Sequence, residues 1–228
     1  MESKSAPRLA LLKHIYAVYD DFSETSPAAC RRGCAHCCTR NVTLTTLEAY
    51  LIAAHLSAGG NEALAGRLAA GLDQDRFRPR ITTNELADIC RQGLAPPEET
   101  QPGETVCPLL EDEACPIYPL RPFHCRCMTS RSDCGETGRA DMDPFVMTVN
   151  TVFLQYIEHI DRDGFSGNLI DAMHVFESRE NRRRYRAGEP ISRPPGLIPN
   201  RRVSALMIPP KHRGRIAPLL QKLNAPPA

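Results

Sequence analysis

No uncharged apolar run in the 228 residues approaches the roughly 20 that a membrane-spanning helix needs, so no membrane partner is expected. The stretch Met1–His14 lacks the apolar core and small-residue cleavage site of a secretory leader, and Lys4, Arg8 and Lys13 interrupt it. The expected location is the cytoplasm. No glycine-rich phosphate loop, Ser/His/Asp triad motif or HExxH zinc signature is present, which removes the familiar routes to nucleotide, serine-hydrolase or metalloprotease chemistry. Strand-like runs are scarce, and there is no internal repeat. Lys and Arg are absent from Gln92 to Leu120, where Glu98, Glu99, Glu104, Glu111, Asp112 and Glu113 gather.

What is present is cysteine, ten residues of it, in a chain long enough to bury a real core as one large domain or two small ones. Cytoplasmic thiols are kept reduced, so tight cysteine spacings there point to metal or redox chemistry rather than disulfides. Charge is nearly balanced at +1, but unevenly placed. From Arg179 to Arg215 eleven basic residues face two acids, giving a basic tail beside the acidic middle.

The pattern reads as mainly α, a small helical domain with irregular Cys-rich metal-binding loops. Leu9, Leu12, Ile15, Tyr16 and Tyr19 share one face of a first helix. Val42 and Leu44 suit a short extended piece. Thr45 and Glu48 form a capping box opening a helix that runs to Gly59 and Gly60. Leu64, Leu68 and Leu72 predict a third helix, and Thr82 with Glu85 starts a fourth that places Cys90 in the core beside Leu86 and Ile89. Leu94–Thr105 is an exposed loop, and Cys107–Cys134 is too dense in Pro, Cys and Arg for a regular element. Asp143 as N-cap with Pro144 at the first position begins a long helix through His159. A further helix is expected over 168–185, then a Pro-rich connector at 190–199, then a helix carrying Ile216, Leu219, Leu220 and Leu223. These elements divide into a Cys-cluster region, 1–140, and a C-terminal helical region, 141–228, packed on it or continuous with it.

The first cluster is Cys30-Arg-Arg-Gly-Cys34-Ala-His-Cys37-Cys38. Thiolates two to three residues apart converge when a tight turn intervenes, and Gly33 supplies one. Adjacent Cys37 and Cys38 point apart, which strains joint ligation of one ion and suits two ions or a polynuclear centre. The second cluster has Cys107-Pro, then Cys115-Pro-Ile-Tyr-Pro-Leu-Arg-Pro-Phe-His-Cys125-Arg-Cys127. Cys-Pro steps also occur in the bacterial ferredoxin ligand run. Glu111, Asp112 and Glu113 belong at a turn facing water.

These two motifs, in this order, resemble the YkgJ-type cysteine-cluster proteins, described as a zinc- or iron-chelating domain. The resemblance spans Cys30 to Cys127 and implies metal ligation by Cys30, Cys34, Cys37, Cys38, Cys107, Cys115 and Cys125. It also implies a framework of Ile117, Tyr118, Arg121, Pro122 and Arg126. Cys127 and Cys134 are extra thiols outside that pattern.

Around the motifs, Arg121 and Arg126 are placed to neutralise thiolate charge. His36 and His124 flank ligand cysteines, as ligands, as hydrogen-bond partners of the ligands or as ordinary solvent-edge residues. Asp141 and Asp143 look like a carboxylate pair, although the capping role accounts for Asp143. Purely cysteinyl ligation suits zinc or an iron–sulfur cluster. The adjacent pair and the Cys-Pro steps favour iron. The first motif offers four thiols that close poorly on one ion and the second offers three, so sharing ligands would complete both.

The functional expectation is a metal-binding protein of redox or modifying function, as enzyme or accessory protein, with substrate and partner unspecified. One alternative is a structural zinc module that binds a macromolecule through the basic C-terminal region. Nucleic acid is the less favoured partner, because Arg179, Arg182, Arg183, Arg184 and Arg186 sit at a helix end with only Tyr185 as an aromatic platform. Another is a SAM-dependent [4Fe–4S] enzyme, because Cys30, Cys34 and Cys37 match the radical-SAM loop spacing, and Gly59-Gly60-Asn61-Glu62 superficially matches its glycine-rich contact. That class needs a parallel β/α barrel, which this pattern does not supply. Flagellin lysine N-methylase, with its own clustered-Cys region, is a looser likeness.

Overall fold

Pro7 sits in the first turn of α1 (Ala6–Glu24), where an amide is dispensable, and Leu12, Ile15, Tyr16, Val18 and Tyr19 turn its apolar face inward. The structure, a computed structural model, describes residues 4–59, 62–100, 102–103 and 105–225. Gly60 and Asn61, at the expected end of the second helix, and Glu104, in the acidic stretch, lie outside the described residues.

Strand β1 (Thr43–Thr45) leads into α2 (Thr46–Gly59) through the expected capping box. Thr45 Oγ1 accepts from the Glu48 amide at 3.3 Å, and Glu48 Oε2 accepts from the Thr45 amide at 2.8 Å. Next come α3 (Glu62–Ala70), burying Leu64 and Leu68, and α4 (Thr83–Arg91), capped by Thr82. Leu72 lies just beyond α3 and is half-buried. Cys90 is not in the core. Helix α4 buries Asn84 and Ala87, and that face turns Cys90 out to solvent.

The Cys107–Cys134 stretch carries more regular structure than expected. It holds a 3-10 turn at Tyr118–Leu120, then α5 (Phe123–Cys127), and α6 (Cys134–Thr137) begins at its last residue. Helix α7 (Pro144–Ile160) starts as predicted, with Asp143 accepting from the Phe145 amide at 2.7 Å. The single helix expected over 168–185 is broken. Asn168 ends β2 (Phe165–Asn168) and caps α8 (Leu169–Val175), and Ser178 caps a separate α9 (Arg179–Ala187). The Pro-rich connector ends in β3 (Leu197–Pro199), and α10 (Arg213–Asn224) buries Ile216 and Leu223.

The three strands form one antiparallel sheet in the order β1-β2-β3. Gly167 lies opposite Leu44 on one side and Leu197 on the other, and a Cβ there would collide with the Leu197 side chain. Only glycine lets the strands approach at this point. One hydrophobic cluster runs from Leu12 to Leu223, so the 1–140 and 141–228 segments share a core. Tyr19, Phe123 and Phe153 form its aromatic centre, with Tyr19 edge-on to Phe123 at 4.7 Å and Phe123 stacked on Phe153 at 5.7 Å.

Asp161 ties the segments together from inside. Its carboxylate accepts from Thr46 Oγ1 at 2.6 Å, the Leu47 amide at 2.9 Å, Tyr185 at 2.5 Å and Asn200 at 3.1 Å. A second buried carboxylate, Asp171, receives Arg76 at 2.5 Å.

Candidate metal centre

The first cysteine motif folds as two consecutive tight turns. The Cys34 amide donates to the Arg31 carbonyl at 3.0 Å, and the Cys38 amide to the Ala35 carbonyl at 2.9 Å. Gly33 takes the left-handed conformation, at φ +91°, that the first turn requires. The chain end of this motif is then zipped to the start of the second. Cys107 donates its amide to the Cys38 carbonyl at 2.9 Å, and Arg40 donates to the Thr105 carbonyl at 2.9 Å.

Beyond Cys107 the chain doubles back at Glu111–Ala114, with Asp112 and Glu113 both at positive φ, and this acidic turn faces water as expected. The Tyr118 amide returns to the Cys115 carbonyl at 3.1 Å, placing Cys115 at a turn of its own. Cys125 rides on α5, whose position is set by Glu48. That carboxylate accepts from the Phe123 amide at 2.7 Å and from the Tyr16 hydroxyl at 2.7 Å while also holding the α2 cap. Nothing in the sequence marked Glu48 as more than a cap residue.

All seven cysteines named from the sequence line one cavity of about 250 Å³, with Tyr19, Phe22, Val42, Leu109, Ile117 and Leu169 among its other walls. Cys30 and Cys37 are exposed, and Cys34, Cys38, Cys107, Cys115 and Cys125 are half-buried. Among the described residues, no three His, Cys, Asp or Glu side chains close on one point as a ready-made ion site. The thiols are distributed around the wall instead.

Their electrostatics differ from site to site. The Cys38 thiol donates to Cys37, and with Arg121 and His36 nearby this pulls the Cys37 pKa down to about 6. The same bond holds the proton on Cys38 and pushes its pKa up. Burial raises Cys107, Cys115 and, most strongly, Cys125. In the free protein most of these thiols are therefore protonated, and ligation of a metal releases protons.

Arg121 and Arg126 part company. The Arg121 guanidinium lies over the Tyr118 ring at 4.0 Å, helps lower the Cys37 pKa, partly offsets the rise that burial imposes on Cys115, and keeps a buried Nε with no hydrogen-bond partner among the described residues. Arg126 is committed to the framework: it pairs with Asp20 at 3.0 Å and donates to the Pro119 carbonyl at 2.6 Å. Seven soft thiol donors, with an unpartnered guanidinium nitrogen beside them, fit a thiophilic metal group of net negative charge.

The remaining residues separate clearly. His124 is half-buried and meets Thr43 Oγ1 at 3.1 Å, and its removal from water lowers its pKa, favouring the neutral ring. It also lines the cavity. His36 is exposed. Cys127 belongs to the core and donates to the His124 carbonyl at 3.4 Å. Asp141 is paired with Arg131 at 2.8 Å and Asp143 is a cap, so they form no catalytic pair. On α9, Arg183 pairs with Glu180 at 2.7 Å and Arg182 caps the carbonyls following α8, well outside the cysteine cavity. The antiparallel sheet is unlike the parallel barrel of radical-SAM enzymes. Gly60 and Asn61 of the glycine-rich match lie outside the described residues.

Comparison with protein-family models, with curated proteins and with solved structures gives no match to this chain.

Proposed function

We propose that this protein holds a cysteine-ligated metal centre built jointly by its two motifs, as the likeness to the YkgJ-type proteins implies, and serves a redox or modifying role in the cytoplasm. The observation that carries this reading is the delivery of seven thiols to one cavity from stretches far apart in sequence. Thiols spread around a wall, rather than gathered at one point, suit a polynuclear group better than a single tetrahedral ion. An iron–sulfur cluster is accordingly favoured over zinc.

When bound, such a cluster supplies one-electron redox chemistry or an open metal site. The chain's own part is to hold the thiolates, place the Arg121 charge beside them and keep water off the inner wall through Leu109, Ile117 and Leu169. Protein purified without oxygen is expected to be brown, with broad visible absorption that bleaches with dithionite or air. Colourless protein with stoichiometric zinc replaces the redox role with a structural one, and protein with neither metal overturns the reading.

A further inference from the structure

We infer that the pocket adjoining the cysteine cavity binds a small organic carboxylate with an aromatic or branched apolar body, its apolar end directed at the cysteines. The site stands on its own geometry, and only its connection with a metal rests on the function proposed above.

The pocket has a volume of about 360 Å³, within the range of small-ligand sites. It lies between the end of α1 and the turn after it, the stretch 129–131, the start of α7 and one face of α10. Phe22, Phe145, Val146 and Leu219 supply its apolar surface, and the Phe22 and Phe145 rings meet edge to face with centroids 6.2 Å apart. Phe22, Ser26, Thr129 and Val146 line this pocket and the cysteine cavity alike, so the two spaces share a wall.

The charged groups facing the pocket decide the charge of the ligand. They are Arg131, Asp141, Asp143 and Arg215. Arg131 and Asp141 are bonded to each other twice, at 2.8 and 3.1 Å. Asp143 is engaged as the cap of α7, accepting from the Phe145 amide at 2.7 Å. Arg215 remains. Its guanidinium lies 3.9 Å from the centre of the Phe145 ring and, among the described residues, has no carboxylate within ion-pair distance. A cationic ligand would find both acids occupied and Arg215 repelling it. A carboxylate can take two parallel N–H bonds from the guanidinium, which the ring beneath holds in place. From that anchor the only apolar path runs along Phe145 and Phe22 to the shared wall. There the Thr129 hydroxyl, which makes no hydrogen bond among the described residues, can meet one polar atom of the ligand.

The test is calorimetry on full-length protein purified without oxygen. The probes are phenylacetate and isovalerate, each compared with its uncharged amide, on the wild type, Arg215→Gln and Arg183→Gln. Arg215 is exposed, so its replacement should leave thermal melting unchanged. The wild type should bind at least one of the acids about ten-fold tighter than its amide, equivalent to about 1.4 kcal/mol. Arg215→Gln should lose that preference, and Arg183→Gln should keep it. Saturation with the acid should also shift the visible absorption of the brown protein. Equal affinity for acid and amide, no binding of either acid, or an undiminished preference in Arg215→Gln overturns the site. Acid binding that leaves the spectrum unmoved overturns its connection with the metal. Acid binding by colourless protein upholds the site and removes the iron–sulfur function instead.

Discussion

The amide of Cys107 donates to the carbonyl of Cys38 at 2.9 Å, and this bond joins the end of one cysteine motif to the start of the other. Helices α2, α3 and α4 and an acidic loop lie between them in sequence, yet Cys38 and Cys107 are neighbours on the cavity wall. Metal binding and folding of the intervening helices should consequently be linked. Cys115→Ala is expected to lower total metal and to reduce the melting temperature well beyond what Cys90→Ala does. The exposed Cys90 should cost no more than about 0.5 kcal/mol when truncated, as surface changes usually do. Metal analysis and thermal melting on identically prepared variants check both values.

Glu48 should be the most sensitive position that is not a cysteine. Its two oxygens receive the Tyr16 hydroxyl, the Phe123 amide, the Thr45 amide and the Thr45 hydroxyl, all between 2.7 and 3.0 Å. Glu48→Ala strands several buried donors at once and should cost on the order of 3 kcal/mol. It should also lower metal content, because α5 loses the anchor that sets Cys125. Glu48→Gln should recover part of both. Chemical denaturation with metal quantification separates the two effects.

Asp161 gives the stability curve a calculable slope. Burial raises its pKa to about 6, above an ordinary aspartate near 3.9 in the unfolded chain. The folded state therefore takes up the proton first as pH falls. This stabilising contribution is complete below about pH 4 and is lost as pH rises through about 6. A difference of two pH units corresponds to about 3 kcal/mol. Relative to Asp161→Asn, the wild type should gain up to that amount between pH 7 and pH 4. Urea melts of both proteins across that range read the difference, and parallel curves would remove Asp161 as its source.

The arginines of α9 should prove irrelevant to the metal. Arg183 is paired with Glu180 and Glu189, and Arg184 approaches Glu189 at 3.7 Å. Arg183→Ala with Arg184→Ala should retain full metal content. Nucleic-acid binding by the parent with a salt dependence of several charges, abolished in the double variant, would instead support the macromolecule-binding alternative.

Helix starts were the most legible part of the chain. Thr45–Glu48, Thr82–Glu85 and Asp143–Pro144 each carry a local signal, and each caps a helix at the expected place. Cysteine spacing is a local signal too, and the seven cysteines of the two motifs line one cavity. What the sequence left dark depends on distant partners. Strands β2 and β3 are short and contain Gly167 and Pro199, so no run of alternating apolar residues announced them. Asn168 and Ser178 split an apparently continuous helix because both are strong caps in the middle of a periodic pattern. Cys90 departs from its expected core position because the buried face of α4 is chosen by its packing against α7, not by the apolar residues it carries.

The pairing of β1 with β2 imposes an order on biosynthesis. Residues 43–45 find their strand partner only in residues 165–168, and Val42 receives the Leu169 amide at 2.8 Å, with Val42 and Leu169 both walls of the cysteine cavity. A chain still emerging from the ribosome thus presents every thiol of both motifs before the wall that shelters them has been made. During that interval the cysteines are open to oxidation and to any thiophilic ion.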